Sequence, residues 1–175
     1  MTMTTNSINF NYPMPEKQFS EIILNRLSEH FFIKTEVCGR HFSGKKMRVD
    51  AVIRPMDTCR WMRKDIAFGI EFKRPDCEHS PRMVSALIRQ AYDYIYTDFD
   101  DYGHIPILVC PLKVQKFAGG GDEMPFIKRV IGQFGIGEIV DHKYYGLTIY
   151  FQEHHRIWSE RSGVHDGSHW GLNFK

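Results

Sequence analysis

Apolar positions along the first two thirds of the chain recur with helical and strand periods in a definite order. A helical stripe predicts a helix from about Glu16 to Phe31. A second helix is predicted from Ser80-Pro81 to about Thr97. Serine caps helices and proline suits the first helical position, so this pair favours a helix start. Strands are predicted at 33–38, 47–53, 66–73 and 105–110. The predicted order is therefore α-β-β-β-α-β.

After residue 112 the pattern is weaker, and it predicts a short helix near 125–134 and strands near 136–140 and 145–151. The polar residues 1–14 are expected to form a flexible N-terminal arm. The rest of the chain is expected to be a single domain. Its predicted boundaries are 15–175, with a core at 15–111 and an additional α+β C-terminal extension at 112–175.

Composition is typical of a globular protein. The chain has 175 residues, of which 42% are hydrophobic and 14% aromatic, so a buried core is expected. No apolar segment approaches the roughly 20 residues of a membrane span, and no membrane partner is expected. Four scattered cysteines without a CxxC pair indicate reduced thiols, which suits a bacterial or phage-infected cytoplasm.

Positive charge is concentrated in one segment, although the formal net charge is only +2. Between Arg40 and Lys64 there are eight basic residues and two acidic ones, which favours contact with a polyanion. A solvated hairpin edge is an equally good interpretation. Trp61 in the same segment would stack on a base or anchor the loop to the core. The candidate nucleic-acid-binding residues are Lys45, Lys46, Arg54, Arg60, Trp61, Arg63 and Lys64, together with Tyr94 further along the chain.

Candidate chemistry lies on two of the predicted strands, which are expected to be adjacent in the sheet. Asp50 is on the second strand, and Glu71 and Lys73 share one face of the third, with Phe72 on the other face. Two converging carboxylates are ligands that Mg²⁺ prefers, and a nearby lysine can orient an attacking water. The pattern predicts metal-dependent phosphodiester hydrolysis. The alternative is an exposed strand face whose charges pair across the ladder.

The pattern Val49-Asp50, 20 intervening residues and then Glu71-Phe72-Lys73 resembles the PD-(D/E)xK nuclease superfamily, with valine in place of the proline. The resemblance covers roughly residues 15–111. It implies an α/β fold with a restriction-endonuclease-like core, in which helices flank a central mixed sheet. It also implies Mg²⁺ or Mn²⁺, held by Asp50, Glu71 and the Phe72 carbonyl.

Gln90 and Tyr94 fit the QxxxY motif, which resembles the RecB-like and CRISPR-associated exonuclease branch. This implies that Gln90 holds the attacking water or a phosphate, while Tyr94 packs or contacts the nucleic acid. The first helix usually supplies another carboxylate. Helical geometry places Glu16 on the inward face and Glu21 nearly opposite, so Glu16 is the predicted third acid, unless it only caps the helix.

The expected function is that of a metal-dependent deoxyribonuclease. The resemblance to the QxxxY motif implies that it is an exonuclease or an end-processing enzyme. A structure-selective or site-selective endonuclease, of the junction-resolvase or restriction type, is the first alternative. A non-catalytic nucleic-acid-binding protein is the alternative of another class, and a small-molecule enzyme is disfavoured because no glycine-rich phosphate loop follows a strand. DNA is the expected partner. A homo-oligomer, or a place in a replication, repair, recombination or defence complex, is left open.

Overall fold

The computed structural model describes residues 14–75, 81–112, 130–151 and 155–165. Its helices are α1 (Glu16–Leu27) and α2 (Pro81–Ile95), with a further helical turn at residues 130–133. Its strands are β1 (Phe31–His41), β2 (Lys46–Pro55), β3 (Phe68–Phe72), β4 (Thr97–Phe99), β5 (Ile107–Cys110), β6 (Ile136–His142), β7 (Gly146–Phe151), β8 (His155–Ser159) and β9 (Gly163–Val164). None of the described helices is long and apolar enough to cross a membrane.

Helix α1 forms where the apolar stripe predicted it, because Phe19, Ile23 and Leu27 recur at helical spacing and all three are buried. Acidic Glu16 in the first turn and basic Arg26 in the last turn also suit the helix dipole. The helix ends before the predicted Phe31. That residue instead begins β1, where its ring is buried.

All nine described strands belong to one mixed sheet, in the order β4-β1-β2-β3-β5-β6-β7-β8-β9. Strands β3, β5 and β6 run parallel, and every other neighbouring pair is antiparallel. The prediction that the strands bearing Asp50 and Glu71 are neighbours is confirmed, since β2 pairs with β3.

The predicted fold class is wrong. The described chain is mostly β, with one nine-stranded sheet curled into a half-barrel and only three short helices, so it is not a central sheet flanked by helices. The curl is visible in the contact between Phe31 on β1 and Trp158 on β8, whose ring centroids lie 4.9 Å apart although six positions separate their strands in the sheet. The strands assigned to a C-terminal extension instead continue the same sheet.

Two apolar cores lie on the two faces of this sheet. The inner core contains the α1 stripe and side chains from near both ends of the sheet, including Phe31 of β1 and Val164 of β9. The outer core contains Leu87, Ala91 and Tyr94 of α2. Along β3 the side chains alternate, so Phe72 enters the inner core while Glu71 lies on the α2 side.

Three strands were not anticipated. Strands β4 and β9 have three and two residues, too few for a period to be recognised. Strand β8, with the sequence His-Arg-Ile-Trp-Ser, shows no clear alternation, but Ile157, Trp158 and Ser159 are all buried. Of the predicted arm, residues 1–13 lie outside the described residues, as does part of the predicted helix near 125–134.

Candidate functional site

Strands β2 and β3 separate just where Asp50 occurs. Their ladder of paired residues ends at Ala51 opposite Ile70. Beyond that point the Phe72 N–H donates a hydrogen bond of 2.7 Å to Oδ2 of Asp50 instead of to a backbone carbonyl of β2. Because the N–H and C=O of one strand residue point to the same neighbour, the Phe72 carbonyl also points towards the side of β3 on which Asp50 lies.

The Glu71 carboxylate is buried and surrounded by donors. Its Oε1 accepts hydrogen bonds from Nζ of Lys73 over 2.6 Å and from Nε2 of Gln90 over 2.7 Å. Its Oε2 lies 3.0 Å from the Tyr94 hydroxyl. The Lys73 ammonium also lies 3.3 Å from Oε1 of Gln90, so these residues form one connected cluster.

Helix α2 supplies the second half of this cluster. Gln90 and Tyr94 are one turn apart, and Nε2 of Gln90 donates to the Tyr94 hydroxyl over 2.8 Å. The same hydroxyl lies 2.8 Å from the carbonyl oxygen of Arg48 on β2. A phenol has one proton, so it donates either to this carbonyl or to Glu71 at any moment. Tyr94 therefore connects α2 to both β2 and β3.

Burial dominates the electrostatics of the two carboxylates. It raises the pKa of Glu71, and the charge of Asp50 adds to this rise, while the hydrogen bond from Lys73 opposes it. Burial likewise raises the pKa of Asp50, against the opposing effects of the Phe72 N–H and Lys73. The pKa of Tyr94 is raised far above its ordinary value by burial and by the Glu71 charge. A cation shared by the two carboxylates would lower both of their pKa values.

These residues fit a Mg²⁺ ion of the kind that takes one or two carboxylates and fills its other positions with water or phosphate oxygens. Asp50, Glu71 and the Phe72 carbonyl are the ligands that the geometry offers. A closed protein cage is not present: the described residues contain no group of three or more His, Cys, Asp or Glu side chains that could hold a metal ion.

Glu16 is not brought to this site. It lies in the exposed first turn of α1, and Phe19 one turn later contacts Phe72 with ring centroids 6.3 Å apart. Since Phe72 and Glu71 point to opposite faces of β3, α1 lies on the face away from the Glu71 carboxylate. The helical stripe correctly predicts which face of α1 is buried. It does not predict that α1 packs on the face of the sheet opposite to the Glu71 carboxylate.

The predicted nucleic-acid-binding residues do not form one surface. Lys45 and Lys46 lie at the start of β2, whereas Arg54 lies near its end, about 27 Å further along the strand. In the loop after β2, Arg60 is exposed, Arg63 pairs with Asp65, and Lys64 donates to the backbone carbonyls of Thr58 and Cys59.

Two aromatic residues of that set are buried. Trp61 is 5% exposed and packs on Phe68, with ring centroids 5.6 Å apart, so it anchors its loop to the inner core and does not offer a face to a base. Tyr94 is buried on the outer side, where its hydroxyl is engaged as described above. The burial of Trp61 therefore favours the loop-anchor interpretation over the stacking interpretation.

One group in the cluster is not predicted from the sequence: the backbone carbonyl of Arg48, which contacts the Tyr94 hydroxyl. No side-chain pattern signals a backbone acceptor. Comparison with known proteins does not extend this description, because the chain matches no family model, no curated protein and no solved structure.

Proposed function

We propose that the chain is a metal-dependent deoxyribonuclease whose site is the cluster of Asp50, Glu71, Lys73 and Gln90. The observation that carries the proposal is the convergence on Glu71 of Lys73, two residues away, and Gln90, from a different element. These are the residues that carry the resemblance to the PD-(D/E)xK nucleases. The support comes from this local arrangement, not from the architecture of the sheet.

In the proposed site Asp50, Glu71 and the Phe72 carbonyl hold Mg²⁺ or Mn²⁺. The ion's chemistry is to lower the pKa of a water molecule and to offset charge on the scissile phosphate. The two carboxylates are suited to this because each is partly desolvated and therefore gains from a nearby cation. Because the β2–β3 ladder ends at Ala51, the Phe72 backbone faces the Asp50 side chain and not a paired backbone group of β2.

Lys73 positions the attacking water and offsets negative charge on the phosphate. Its ammonium is only partly buried while its partner Glu71 is almost fully buried, so it lies on the solvent side of the cluster. Gln90 contacts the same oxygen of Glu71 and lies beside Lys73. Its two amide N–H groups are directed at Glu71 and Tyr94, which fixes its rotamer, and its Oε1 beside the Lys73 ammonium is placed to accept a hydrogen bond from the attacking water.

The proposed substrate is DNA, and the resemblance of Gln90 and Tyr94 to the QxxxY motif favours exonuclease or end-processing activity over internal cleavage. The test is digestion of end-labelled linear DNA and covalently closed circular DNA with Mg²⁺ or Mn²⁺. Loss of linear DNA with intact circles supports an exonuclease, and nicked circles support an endonuclease at the same site.

Variants decide whether this cluster is responsible. Asp50→Asn and Lys73→Met are expected to lower the rate at least about 100-fold, because each removes a group that acts on the water or the phosphate. Glu21→Gln on the exposed side of α1 is the matched control and is expected to retain full activity. Activity that survives both site substitutions would show that the nuclease site lies elsewhere.

A non-catalytic nucleic-acid-binding protein is the second candidate, and one observation favours it. Both oxygens of Glu71 already lie within hydrogen-bond distance of protein donors, and among the described residues no third acidic or histidine ligand joins Asp50 and Glu71. DNA binding by the wild-type protein without cleavage in either metal would support this candidate against the nuclease.

A further inference from the structure

Four aromatic side chains form a continuous row on the outer surface, called here the aromatic row: Phe42, Tyr96, Tyr92 and Phe134. Successive ring centroids are 5.8, 5.0 and 5.3 Å apart. Phe42 is 79% exposed, and the other three are 39–42% exposed. Interplanar angles of 77°, 58° and 87° show that the rings do not stack face to face on one another. Ring surface therefore remains open to solvent along the row.

The row is built on fixed backbone. Phe42 lies in the turn between β1 and β2, where Gly44 has a φ of +86°, and its N–H donates to the Tyr96 carbonyl over 3.2 Å. Tyr92 lies in the last turn of α2, and Tyr96 directly follows the end of the helix, one turn further along the chain. Their hydroxyls lie 3.5 Å apart. An exposed apolar row that is held in this way, and that none of the described residues covers, favours a role in binding.

Charge around the row identifies the chemistry of the partner. The hairpin segment 40–48 contains four basic residues and no acidic one. Asp98 of β4 lies opposite Arg40 in the sheet, and two other acids form ion pairs with the hairpin: Glu36 with Arg48, and Asp93 with Lys45 over 3.5 Å. Both are exposed or partly exposed pairs, which contribute little and can exchange for a phosphate. Arg89 is also exposed, one turn before Tyr92 on α2.

We propose that the aromatic row binds single-stranded nucleic acid, with unpaired bases stacked on the rings and phosphates near the basic hairpin. Open aromatic faces beside basic side chains are the usual means of holding single strands without sequence preference. The row is separate from the Glu71 cluster, since Tyr92 and Tyr96 project from the side of α2 opposite to Gln90 and Tyr94. The inference rests on the proposed function only in taking a nucleic acid as the ligand.

The test measures binding of the full chain to a fluorescent oligo(dT) of about 16 nucleotides by anisotropy, in EDTA so that cleavage plays no part. An abasic oligomer of equal length and charge separates base stacking from phosphate contact. The key variant is Phe42→Ala, with Tyr96→Leu as a second. The matched control is Phe32→Ala, because Phe32 is 62% exposed at the opposite end of β1 and outside the row.

The wild-type protein is expected to prefer oligo(dT) to the abasic oligomer and to duplex DNA. Phe42→Ala is expected to weaken oligo(dT) binding about tenfold and to abolish the preference over the abasic oligomer, while Phe32→Ala has no effect. Lys46→Gln is expected to weaken both oligomers and to reduce the salt dependence.

Equal loss in Phe42→Ala and Phe32→Ala, or equal wild-type affinity for oligo(dT) and the abasic oligomer, would overturn the inference. So would a change of self-association in Phe42→Ala with unchanged oligo(dT) affinity, which would make the row a contact between copies of the chain. Because oligo(dT) binding is measured in EDTA and cleavage in Mg²⁺, a wild-type protein that binds oligo(dT) without cleaving DNA supports the inference and contradicts only the proposed nuclease activity.

Discussion

Nε2 of Gln90 lies 2.7 Å from Oε1 of Glu71, which joins the outer helix α2 to the middle of the sheet. One turn later the Tyr94 hydroxyl reaches the other oxygen of the same carboxylate. Because Gln90 and Tyr94 are one helical turn apart, each can contact a different oxygen of the same buried carboxylate. This contact explains the spacing of the two residues whether or not the chain cleaves DNA.

Removal of the Tyr94 hydroxyl is expected to destabilise the protein. Tyr94→Phe removes the hydroxyl that contacts the Arg48 carbonyl and one N–H of the Gln90 amide, which is expected to lower the free energy of unfolding by about 1–2 kcal/mol. Tyr96→Phe, the same substitution at an exposed position in the aromatic row, is expected to change it by less than about 0.5 kcal/mol. Urea denaturation measures both, and equal effects would contradict the role given to Tyr94.

Asp50→Asn is expected to stabilise the metal-free protein at neutral pH. Burial raises the pKa of Asp50 in the folded state, so the stability associated with its protonated form is present below the unfolded pKa and is lost as pH rises through the folded pKa. Asparagine can still accept from Phe72 but carries no charge. Thermal unfolding in EDTA should therefore show a higher Tm for the variant at pH 7, and little difference at about pH 3.

The matched control for that experiment is Asp65→Asn. The hydrogen bond from Arg63 lowers the pKa of Asp65, so this substitution is expected to give no gain at neutral pH. Added Mg²⁺ or Mn²⁺ should raise the Tm of the wild type but not that of Asp50→Asn, because only a state that binds the ion is stabilised by it. A metal response that persists in Asp50→Asn would remove Asp50 from the proposed ligands.

Glu160→Gln is expected to weaken the link between α1 and the C-terminal strands. Arg26 forms ion pairs with Asp141 and Glu160, and Glu160 also accepts from the Leu147 N–H over 2.9 Å. Loss of the Glu160 charge is expected to lower the free energy of unfolding by about 1–3 kcal/mol at neutral pH, because the ion pair of Arg26 and Glu160 is only partly exposed. The exposed Glu29→Gln is the control, and urea denaturation is the measurement.

The pH dependence of that variant follows from the pKa of Glu160. Burial raises this pKa, but the hydrogen bonds from Arg26 and Leu147 outweigh burial, and the pKa is lowered overall. Its contribution is therefore present above the unfolded pKa and is lost as pH falls through the folded pKa. The stability of the wild type should fall more steeply in acid than that of Glu160→Gln, and parallel curves would refute this assignment.

Trp61→Ala is expected to lower the free energy of unfolding by about 3–5 kcal/mol, because it leaves a large cavity in the inner core. The milder Trp61→Phe keeps most of the packing and still removes the indole. If Trp61 only anchors its loop, folded Trp61→Phe should bind oligo(dT) with wild-type affinity. Weaker binding at unchanged stability would restore Trp61 as a contact to the nucleic acid.

Much of the local structure, and part of the candidate site, follows from the sequence alone. The stripe Phe19, Ile23 and Leu27 places α1, and the alternation of β3 places Glu71 away from Phe72. The spacing of Gln90 and Tyr94 places both on one side of α2. These predictions hold because each depends on a period within a single element, and backbone geometry determines which residues share a face.

Only the tertiary structure decided which elements are neighbours. Periodicity does not tell that β6–β9 join the same sheet, that the sheet curls until Phe31 meets Trp158, or that Glu16 and Glu71 lie on opposite faces. Nor does it tell that Trp61 turns inward while Phe42 turns outward. Strand pairing and the burial of loop residues depend on contacts between distant parts of the chain, whose energies no local pattern contains.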